Sequence, residues 1–123
     1  MSKKILIVDD EPNILLSLEF LMKKAGFDVA VAKDGEEALL QVASFQPDLL
    51  LLDVIMPKKS GYEVCEILRS DPNRDKLKIV MLSAKGRETE VAKGIALGAD
   101  LYITKPFSTK DLVSRVSELL DGQ

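Results

Sequence analysis

Five polar side chains follow apolar runs in this 123-residue chain, each at the point where the run ends. Asp9 and Asp10 follow the first run and Asp53 follows a later one. Ser83 and Lys105 stand after two further runs. If these runs are parallel strands, their carboxyl ends lie at one edge of a sheet and the five side chains converge there. Each residue alone is most simply a helix start, a turn residue or a solvated side chain, but the joint pattern on four strand ends favours a site.

The residue types at this edge suit chemistry on phosphorus. Three carboxylates in close proximity repel one another, so that either protons or a cation must join them. Oxygen ligands with room for water are the preference of magnesium, which also takes phosphate oxygens. Lys105 can neutralise an incoming anion and Ser83 can donate a hydrogen bond to it. A carboxylate such as Asp53, held by a divalent cation beside an ammonium, is equipped to attack phosphorus and form an acyl phosphate.

The elements that must position these residues alternate between strand and helix five times. Apolar, partly β-branched runs predict strands at residues 4–8, 29–32, 49–53, 79–82 and 101–104. The four consecutive leucines before Asp53 are typical of a central strand buried on both faces, and Pro57 cannot continue its ladder. Such alternation predicts parallel strands joined by right-handed crossovers. We therefore expect one domain over residues 1–123, an α/β fold built as a doubly wound (βα)5 sandwich.

Apolar stripes of period 3.6 predict a helix after each strand. Gly26 and Gly98 end the first and fourth helices, and Gly94 inside the fourth costs about 1 kcal/mol relative to alanine. Capping patterns precede the second, third and fifth helices: Asp34 with Glu37, Ser60 with Glu63, and Ser108 with Asp111. The residues expected to face the core from the second and third helices are Ala38, Leu39, Val42, Ala43, Val64, Cys65, Ile67 and Leu68.

The composition excludes several classes of function. The chain has no histidine, which excludes imidazole metal ligands and nucleophiles activated by histidine. A formal net charge of −3 offers no basic surface for direct nucleic-acid binding. No apolar run approaches membrane-spanning length and the first residues lead into a strand, so we expect a cytoplasmic protein without a membrane segment. Its single cysteine, Cys65, is expected to be a reduced core thiol.

The motifs at the strand ends closely resemble the receiver domain of two-component response regulators, over essentially the whole chain. They are Val8-Asp9-Asp10-Glu11, Leu52-Asp53-Val54-Ile55-Met56-Pro57, Ser60-Gly61, Leu82-Ser83-Ala84, and Gly98-Ala99-Asp100 through Lys105-Pro106-Phe107. The resemblance implies a flavodoxin-like sheet with strand order 2-1-3-4-5 and a cis peptide bond between Lys105 and Pro106. It also implies that Asp53 is phosphorylated by a phosphohistidine on a sensor histidine kinase or phosphotransfer protein.

The same resemblance implies a set of metal ligands. Mg²⁺ would be held directly by Asp10, Asp53 and the backbone carbonyl of Ile55, and by Asp9 through water. The domain would catalyse only its own phosphorylation and slow dephosphorylation, and would act as a signalling module rather than as an enzyme on other substrates.

A conformational switch is implied as well. Ser83 would move to bond a phosphoryl oxygen, and Tyr102 would rotate into the vacated space. This rearrangement would repack the face formed by the fourth helix, fifth strand and fifth helix, as a shift between two existing arrangements. We expect the face to control a partner protein or an output domain, either for a stand-alone receiver or for one that is part of a longer regulator.

Two other classes of protein share parts of this pattern. Aspartate-nucleophile phosphatases and phosphotransferases also use Mg²⁺, a hydroxyl and a lysine. Those of the same topology commonly carry an aspartate two residues after the nucleophile, where this chain has Ile55, which cannot transfer a proton. A flavodoxin-like cofactor binder is disfavoured because no glycine-rich phosphate loop follows the first strand.

Residues at variable family positions predict the association state and the lifetime of the phosphoryl group. Leu101 and Val91 stand where dimerising receivers typically carry an acidic and a basic residue, so we expect a monomer that dimerises at most weakly after phosphorylation. Ile55 and Lys85 flank the approach of a hydrolytic water. They cannot orient that water as an amide and a carboxylate would, so we expect slow phosphoryl loss.

Overall fold

The computed structural model describes residues 3–56, 58–84 and 88–121, and the predictions that involve Pro57 and Lys85 lie outside these ranges. The strands are β1 (Lys4–Val8), β2 (Asp28–Ala32), β3 (Leu49–Asp53), β4 (Lys78–Ser83) and β5 (Leu101–Thr104). The helices are α1 (Pro12–Lys24), α2 (Gly35–Phe45), α3 (Gly61–Arg69), α4 (Glu88–Ala96) and α5 (Thr109–Asp121). In this part of the chain, no helix is sufficiently long and apolar to cross a membrane.

The described strands form one parallel sheet in the order β2-β1-β3-β4-β5, which confirms the predicted doubly wound topology. β3 is central: Leu50 lies beside Leu6 of β1 and beside Ile79 of β4. Every residue of β3 is buried, as the run of four leucines predicted. Because consecutive connections from β1 and β3 leave in opposite directions, a crevice opens between the carboxyl ends of these two strands.

The sheet divides the core into two layers. Alternate leucines of β3 point to opposite faces, so Leu50 and Leu52 enter one layer while Leu49 and Leu51 enter the other. The first layer, here called the α2–α4 layer, also contains Ala38, Val42, Val64, Cys65, Leu68 and Tyr102. The second, the α1–α5 layer, contains Leu18, Met22, Ile103, Leu112, Val116 and Leu120. Strand β3 therefore contributes side chains to both layers of the core.

The helix termini follow the predicted signals. Gly26 and Gly98 adopt φ values of 98° and 111°, the left-handed conformation that glycine favours after a helix. The capping box at α3 is complete: the Glu63 amide donates to Ser60 Oγ at 3.2 Å, and the Ser60 amide donates to Glu63 Oε1 at 3.3 Å. Side chains of Asp34 and Ser108 accept hydrogen bonds at the starts of α2 and α5.

Small differences from the predicted elements occur at their edges. β2 begins one residue earlier than predicted, and β4 extends by one residue at each end to include Lys78 and Ser83. Ala43 and Ile67 were expected in the core, but both are exposed, Ile67 at 41%. Both lie at the margin of an apolar stripe, where a helix turns its side chains away from the sheet.

Helix α4 packs on the sheet through a glycine. Gly94 is its buried residue, whereas its apolar neighbour Ile95 is 46% exposed. A Cβ atom at position 94 would lie 2.8 Å from the sulfur of Met81 and 2.9 Å from the ring of Tyr102. The helix backbone therefore lies directly on these two side chains, and this close approach explains why a residue of poor helix propensity stands there.

An arginine clamp joins α3 to the turn before β5. Arg69 donates from Nε to the Gly98 carbonyl and from Nη2 to Asp100 Oδ2, both at 2.9 Å, and from Nη1 to the Arg74 carbonyl at 3.0 Å. The same oxygen of Asp100 accepts the amide of Ile79, the second residue of β4, at 2.8 Å. The clamp thus fixes α3, the α4–β5 turn and the start of β4 relative to one another.

Candidate functional site

Three carboxylates converge in the crevice between β1 and β3. Oxygen atoms of Asp9, Asp10 and Asp53 all lie within 4.8 Å of one another. Asp9 is 1% exposed and Asp53 is 7% exposed, whereas Asp10 faces solvent. The structure therefore brings together, at the expected sheet edge, three acidic residues that are up to 44 positions apart in sequence.

Backbone contacts fix the two buried carboxylates. The amide of Asp9 donates to the Ala32 carbonyl at 3.2 Å, and Asp9 Oδ1 accepts the amide of Glu11 at 3.0 Å. Asp53 is the last residue of β3, and the start of α3 packs directly behind it. A side chain at Gly61 would collide with the Asp53 carbonyl, so this position requires glycine. A backbone amide thus holds the Asp9 carboxylate, and the close packing of α3 fixes the main chain from which the Asp53 carboxylate projects.

Lys105 reaches the same site from the end of β5. Its amide donates to the Ser83 carbonyl at 2.8 Å, and its peptide bond to Pro106 is cis, as the family resemblance implied. The ammonium lies 3.2 Å from Asp9 Oδ2 and 3.7 Å from Asp53 Oδ1. It therefore bridges the two buried carboxylates.

The electrostatics of the site leave an excess of negative charge. Burial, together with the charge of Asp9, raises the pKa of Asp53 from 3.8 to about 6. The ammonium of Lys105 acts in the opposite direction, and Asp10 adds a smaller unfavourable contribution. Among the residues that the structure describes, the ammonium of Lys105 contacts two of the three carboxylates, so that a cation would relieve the remaining repulsion. Carboxylate oxygens are the donors that a hard divalent cation prefers, so this acidic pocket fits a metal ion.

Two further predicted residues flank the acidic pocket. Ser83 is the last residue of β4 and is 1% exposed. In the ladder it lies one position beyond Leu82, the residue opposite Asp53, which places it beside the end of β3. Ile55, two residues after Asp53, has a side chain that is 54% exposed.

Tyr102 lies in β5 and is buried in the α2–α4 layer. Its neighbour across the layer is Tyr62, a residue that the sequence analysis missed. The two phenols share a side-chain hydrogen bond, and the Tyr62 hydroxyl also donates to the Glu90 carbonyl of α4 at 3.1 Å. The sequence contains one signal that could have identified Tyr62. The chain has only two tyrosines, one at the predicted switch position and the other directly after Gly61.

The chain is similar in sequence to a known protein family and to a curated relative. Residues 5–117 match the family described as the response regulator receiver domain. The alkaline phosphatase synthesis transcriptional regulatory protein PhoP of Bacillus subtilis (strain 168) is 46% identical over 120 residues, which make up 98% of this chain and 49% of PhoP. The chain thus spans about half the length of this curated relative.

Solved structures show the same fold over nearly the whole chain. A response regulator from Chloroflexus aurantiacus J-10-fl superposes with a TM-score of 0.92 at 38% identity, covering 98% of this chain and 99% of that one. The chemotaxis protein CheY4 of Vibrio cholerae gives a TM-score of 0.91 at 28% identity, covering 97% of this chain and 99% of that one. With the family match over residues 5–117, these likenesses establish that the chain belongs to the response regulator receiver domain family.

Proposed function

We propose that Asp53 is the phosphoacceptor through which this receiver domain, residues 1–123, takes part in two-component phosphorelay signalling. The observation that carries this assignment is the position of Asp53 at the end of the central strand. There its carboxylate lies beside Asp9 and Asp10 and 3.7 Å from the ammonium of Lys105. A buried nucleophile, an acidic pair and a cation are the groups that phosphoryl transfer to a carboxylate requires.

In the proposed reaction, a carboxylate oxygen of Asp53 attacks the phosphorus of a phosphohistidine on a sensor histidine kinase or phosphotransfer protein. The oxygen–phosphorus bond forms as the nitrogen–phosphorus bond breaks, and the bonding pair returns to the imidazole of the donor. Lys105 stabilises the negative charge on the transferred group, and Ser83 donates a hydrogen bond to one of its oxygens. The domain thereby acts as a signalling module that promotes only its own phosphorylation and slow dephosphorylation.

Mg²⁺ is the proposed cofactor. Asp10, Asp53 and the backbone carbonyl of Ile55 would hold the ion, together with Asp9. When bound, it would neutralise the carboxylates and the phosphoryl oxygens, which would favour phosphoryl transfer to Asp53. The support for this part of the proposal is the acidic pocket, whose oxygen atoms lie within 4.8 Å of one another.

The proposed output is a change in the face formed by α4, β5 and α5. Movement of Ser83 towards the phosphoryl group would let Tyr102 adjust beneath α4, and the altered face would control a partner or an output domain in the cytoplasm. The relative PhoP is a transcriptional regulatory protein of about twice this length, so an output on transcription is the favoured case. Ile55 offers no hydrogen bond to a hydrolytic water, which supports slow loss of the phosphoryl group.

Incubation with acetyl phosphate and Mg²⁺ tests the assignment of Asp53. We expect intact-protein mass spectrometry to show one added phosphoryl group in the wild type and in Asp75→Asn, a matched change at an exposed aspartate. Asp53→Asn or chelation of the metal should abolish the addition. Modification of Asp53→Asn at the wild-type rate would contradict the assignment, whereas sustained turnover of excess acetyl phosphate would favour the rival phosphatase function.

A further inference from the structure

Helix α4 rests on the two tyrosines of the chain, Tyr62 and Tyr102, here called the tyrosine pair. Its residue Glu90 accepts the Tyr62 hydroxyl at 3.1 Å, and the ammonium of Lys93 lies 4.5 Å from the centroid of the Tyr62 ring. The next residue, Gly94, lets the helix backbone approach the Tyr102 ring. One turn of α4 thus contacts both members of the pair, and their phenols hydrogen-bond each other beneath it.

Tyr62 also belongs to the segment that follows Asp53. It is the second residue of α3, directly after Gly61, whose amide donates to the Val54 carbonyl at 2.7 Å. Gly61 packs so closely on the Asp53 carbonyl that a side chain would not fit. The main chain therefore connects the proposed phosphoacceptor to Tyr62 through two tight contacts, and Tyr62 connects that segment to α4 and β5.

Space for movement lies on the open side of the Tyr62 ring. A cavity of about 390 Å³ is lined there by Tyr62, Val54, Met56, Thr89 and Lys93. Tyr62 therefore borders open space on one side, whereas Tyr102 is packed beneath Gly94 of α4. Such an arrangement permits two positions of a phenol at a small difference in free energy, and a single hydrogen bond can decide between them.

We propose that Tyr62 is a positioning residue of the switch: its phenol holds Tyr102 in the buried position and so favours the arrangement that accepts the phosphoryl group. The inference rests on the proposed function, because it assumes that Tyr102 responds to phosphorylation of Asp53. In this structure Tyr102 is only 9% exposed, and the bond to Tyr62 stabilises that position over an outward one. By linkage, a contact that favours the buried position tightens binding of the phosphoryl group by the same factor.

The protonation state of Tyr62 is compatible with this role. Burial, with a further contribution from the hydrogen bond to Tyr102, raises the pKa of Tyr62 to about 12. The phenol therefore keeps its proton at physiological pH and remains a hydrogen-bond donor.

Fluorine NMR tests the inference, because 3-fluorotyrosine labelling of a chain with two tyrosines gives two signals. Beryllium fluoride with Mg²⁺ serves as the phosphoryl analogue. In the wild type we expect both signals to respond with one midpoint concentration. Tyr62→Phe should raise the midpoint about two- to tenfold, the factor for one hydrogen bond of ordinary strength. It should also shift the Tyr102 signal towards its solvent-exposed position before any analogue is added.

Tyr102→Phe removes the same hydrogen bond from the other side and assigns the second signal. Its effect on the midpoint should be no larger than that of Tyr62→Phe, which also loses the bond to the Glu90 carbonyl, and the double variant should add nothing to the effect of Tyr62→Phe, as coupled residues require. Because the double variant has no tyrosine, its midpoint is read from the rise in melting temperature with analogue concentration, measured in the same way for the wild type and the single variants. Ser44→Ala is the control, since its hydroxyl bonds the Leu40 carbonyl on α2, far from the pair. That variant should keep the wild-type midpoint.

The outcomes separate this inference from the proposed function. Equal midpoints in the wild type and Tyr62→Phe, with an unchanged Tyr102 signal, would overturn the role of Tyr62 while Asp53 stays the phosphoacceptor. Additive effects in the double variant would also overturn it, because the two phenols would then act independently. Absence of any response in the wild type, together with no phosphorylation of Asp53, would instead reject the proposed function.

Discussion

The carboxylate of Asp53 experiences burial and like charge at the same time. It is 7% exposed, it lies beside the buried carboxylate of Asp9, and the ammonium of Lys105 compensates the two only in part. These conditions raise the pKa of Asp53 to about 6. The ionised form of Asp53 therefore destabilises the folded protein when no cation is bound. The proposed chemistry nevertheless needs Asp53 in this ionised form.

In the presence of a chelator, we expect Asp53→Asn to be more stable than the wild type at pH 7.5. The folded-state pKa of about 6 lies above the unfolded value of 3.8, so the folded protein binds the proton more tightly. The stabilisation from that proton is complete below pH 3.8 and is lost as the pH rises through 6. A shift of this size corresponds to roughly 2–3 kcal/mol.

Urea denaturation of both proteins between pH 4.5 and 7.5 measures this difference. The advantage of Asp53→Asn should shrink as the pH falls, and excess Mg²⁺ at pH 7.5 should reduce it by stabilising the wild type. An advantage that is the same at every pH would mean that Asp53 does not titrate as its surroundings indicate.

Single residues also show what a sequence can predict of a site. Asp53 and Lys105 were predictable because each follows a strand directly, and parallel strands deliver such positions to one edge. Tyr62 was not predictable in this way. Its contact with Tyr102 depends on how closely α3 and α4 approach β5. The packing of Gly94 on the sheet sets this approach, and the spacing of residues along the chain does not reveal it.

At the scale of elements, the arginine clamp fixes the turn between α4 and β5 by hydrogen bonds. Gly98 and Asp100 belong to the connection between α4 and β5, and Arg69 of α3 binds both of them. The side chain of Arg69 is 19% exposed, so these contacts are screened less than those of a surface pair. The clamp keeps β5 in register at the end where it begins, opposite the end that carries Lys105.

We expect Arg69→Ala to lower the free energy of unfolding by about 2–3 kcal/mol, because three hydrogen bonds of a half-buried guanidinium are lost. Arg69→Lys should recover little of this loss, since an ammonium cannot reproduce the planar fork. Arg115→Ala is the matched control: its bond to Asp111 is exposed and should contribute less than about 1 kcal/mol. Chemical denaturation compares the three variants, and equal losses for Arg69→Ala and Arg115→Ala would refute the clamp.

At the scale of the whole molecule, the hydrophobic periodicity predicted the layered architecture. It did not predict the order of the strands in the sheet. Alternation of strands and helices implies a parallel sheet with helices on both faces. It leaves the order of the strands open, and the order 2-1-3-4-5 was implied by the family resemblance rather than by any spacing. The buried set of α4 was also beyond prediction, because its apolar residue Ile95 faces outward and Gly94 faces inward.

We expect the molecule to be a monomer that dimerises at most weakly through the α4-β5-α5 face. The charges retained on that face, Asp111 and Arg115, pair with each other along α5 at 3.2 Å, while Leu101 and Val91 bring none. Sedimentation velocity with and without beryllium fluoride measures the state. The double variant Leu101→Asp/Val91→Lys should strengthen dimerisation in the presence of the analogue. A tight dimer of the wild type, lost in Arg115→Ala, would contradict this expectation.

The division of the core by β3 has a consequence for protein engineering. The switch tyrosine lies in the α2–α4 layer, and the α1–α5 layer packs on the opposite face of the sheet. Substitutions that share no partners contribute almost independently to stability. A designer who improves the packing around Leu18 or Met22 of α1, which lies outside the α4-β5-α5 face, can therefore raise the melting temperature and leave the sensitivity of the signal unchanged. Thermostability and responsiveness are separately adjustable properties of this scaffold.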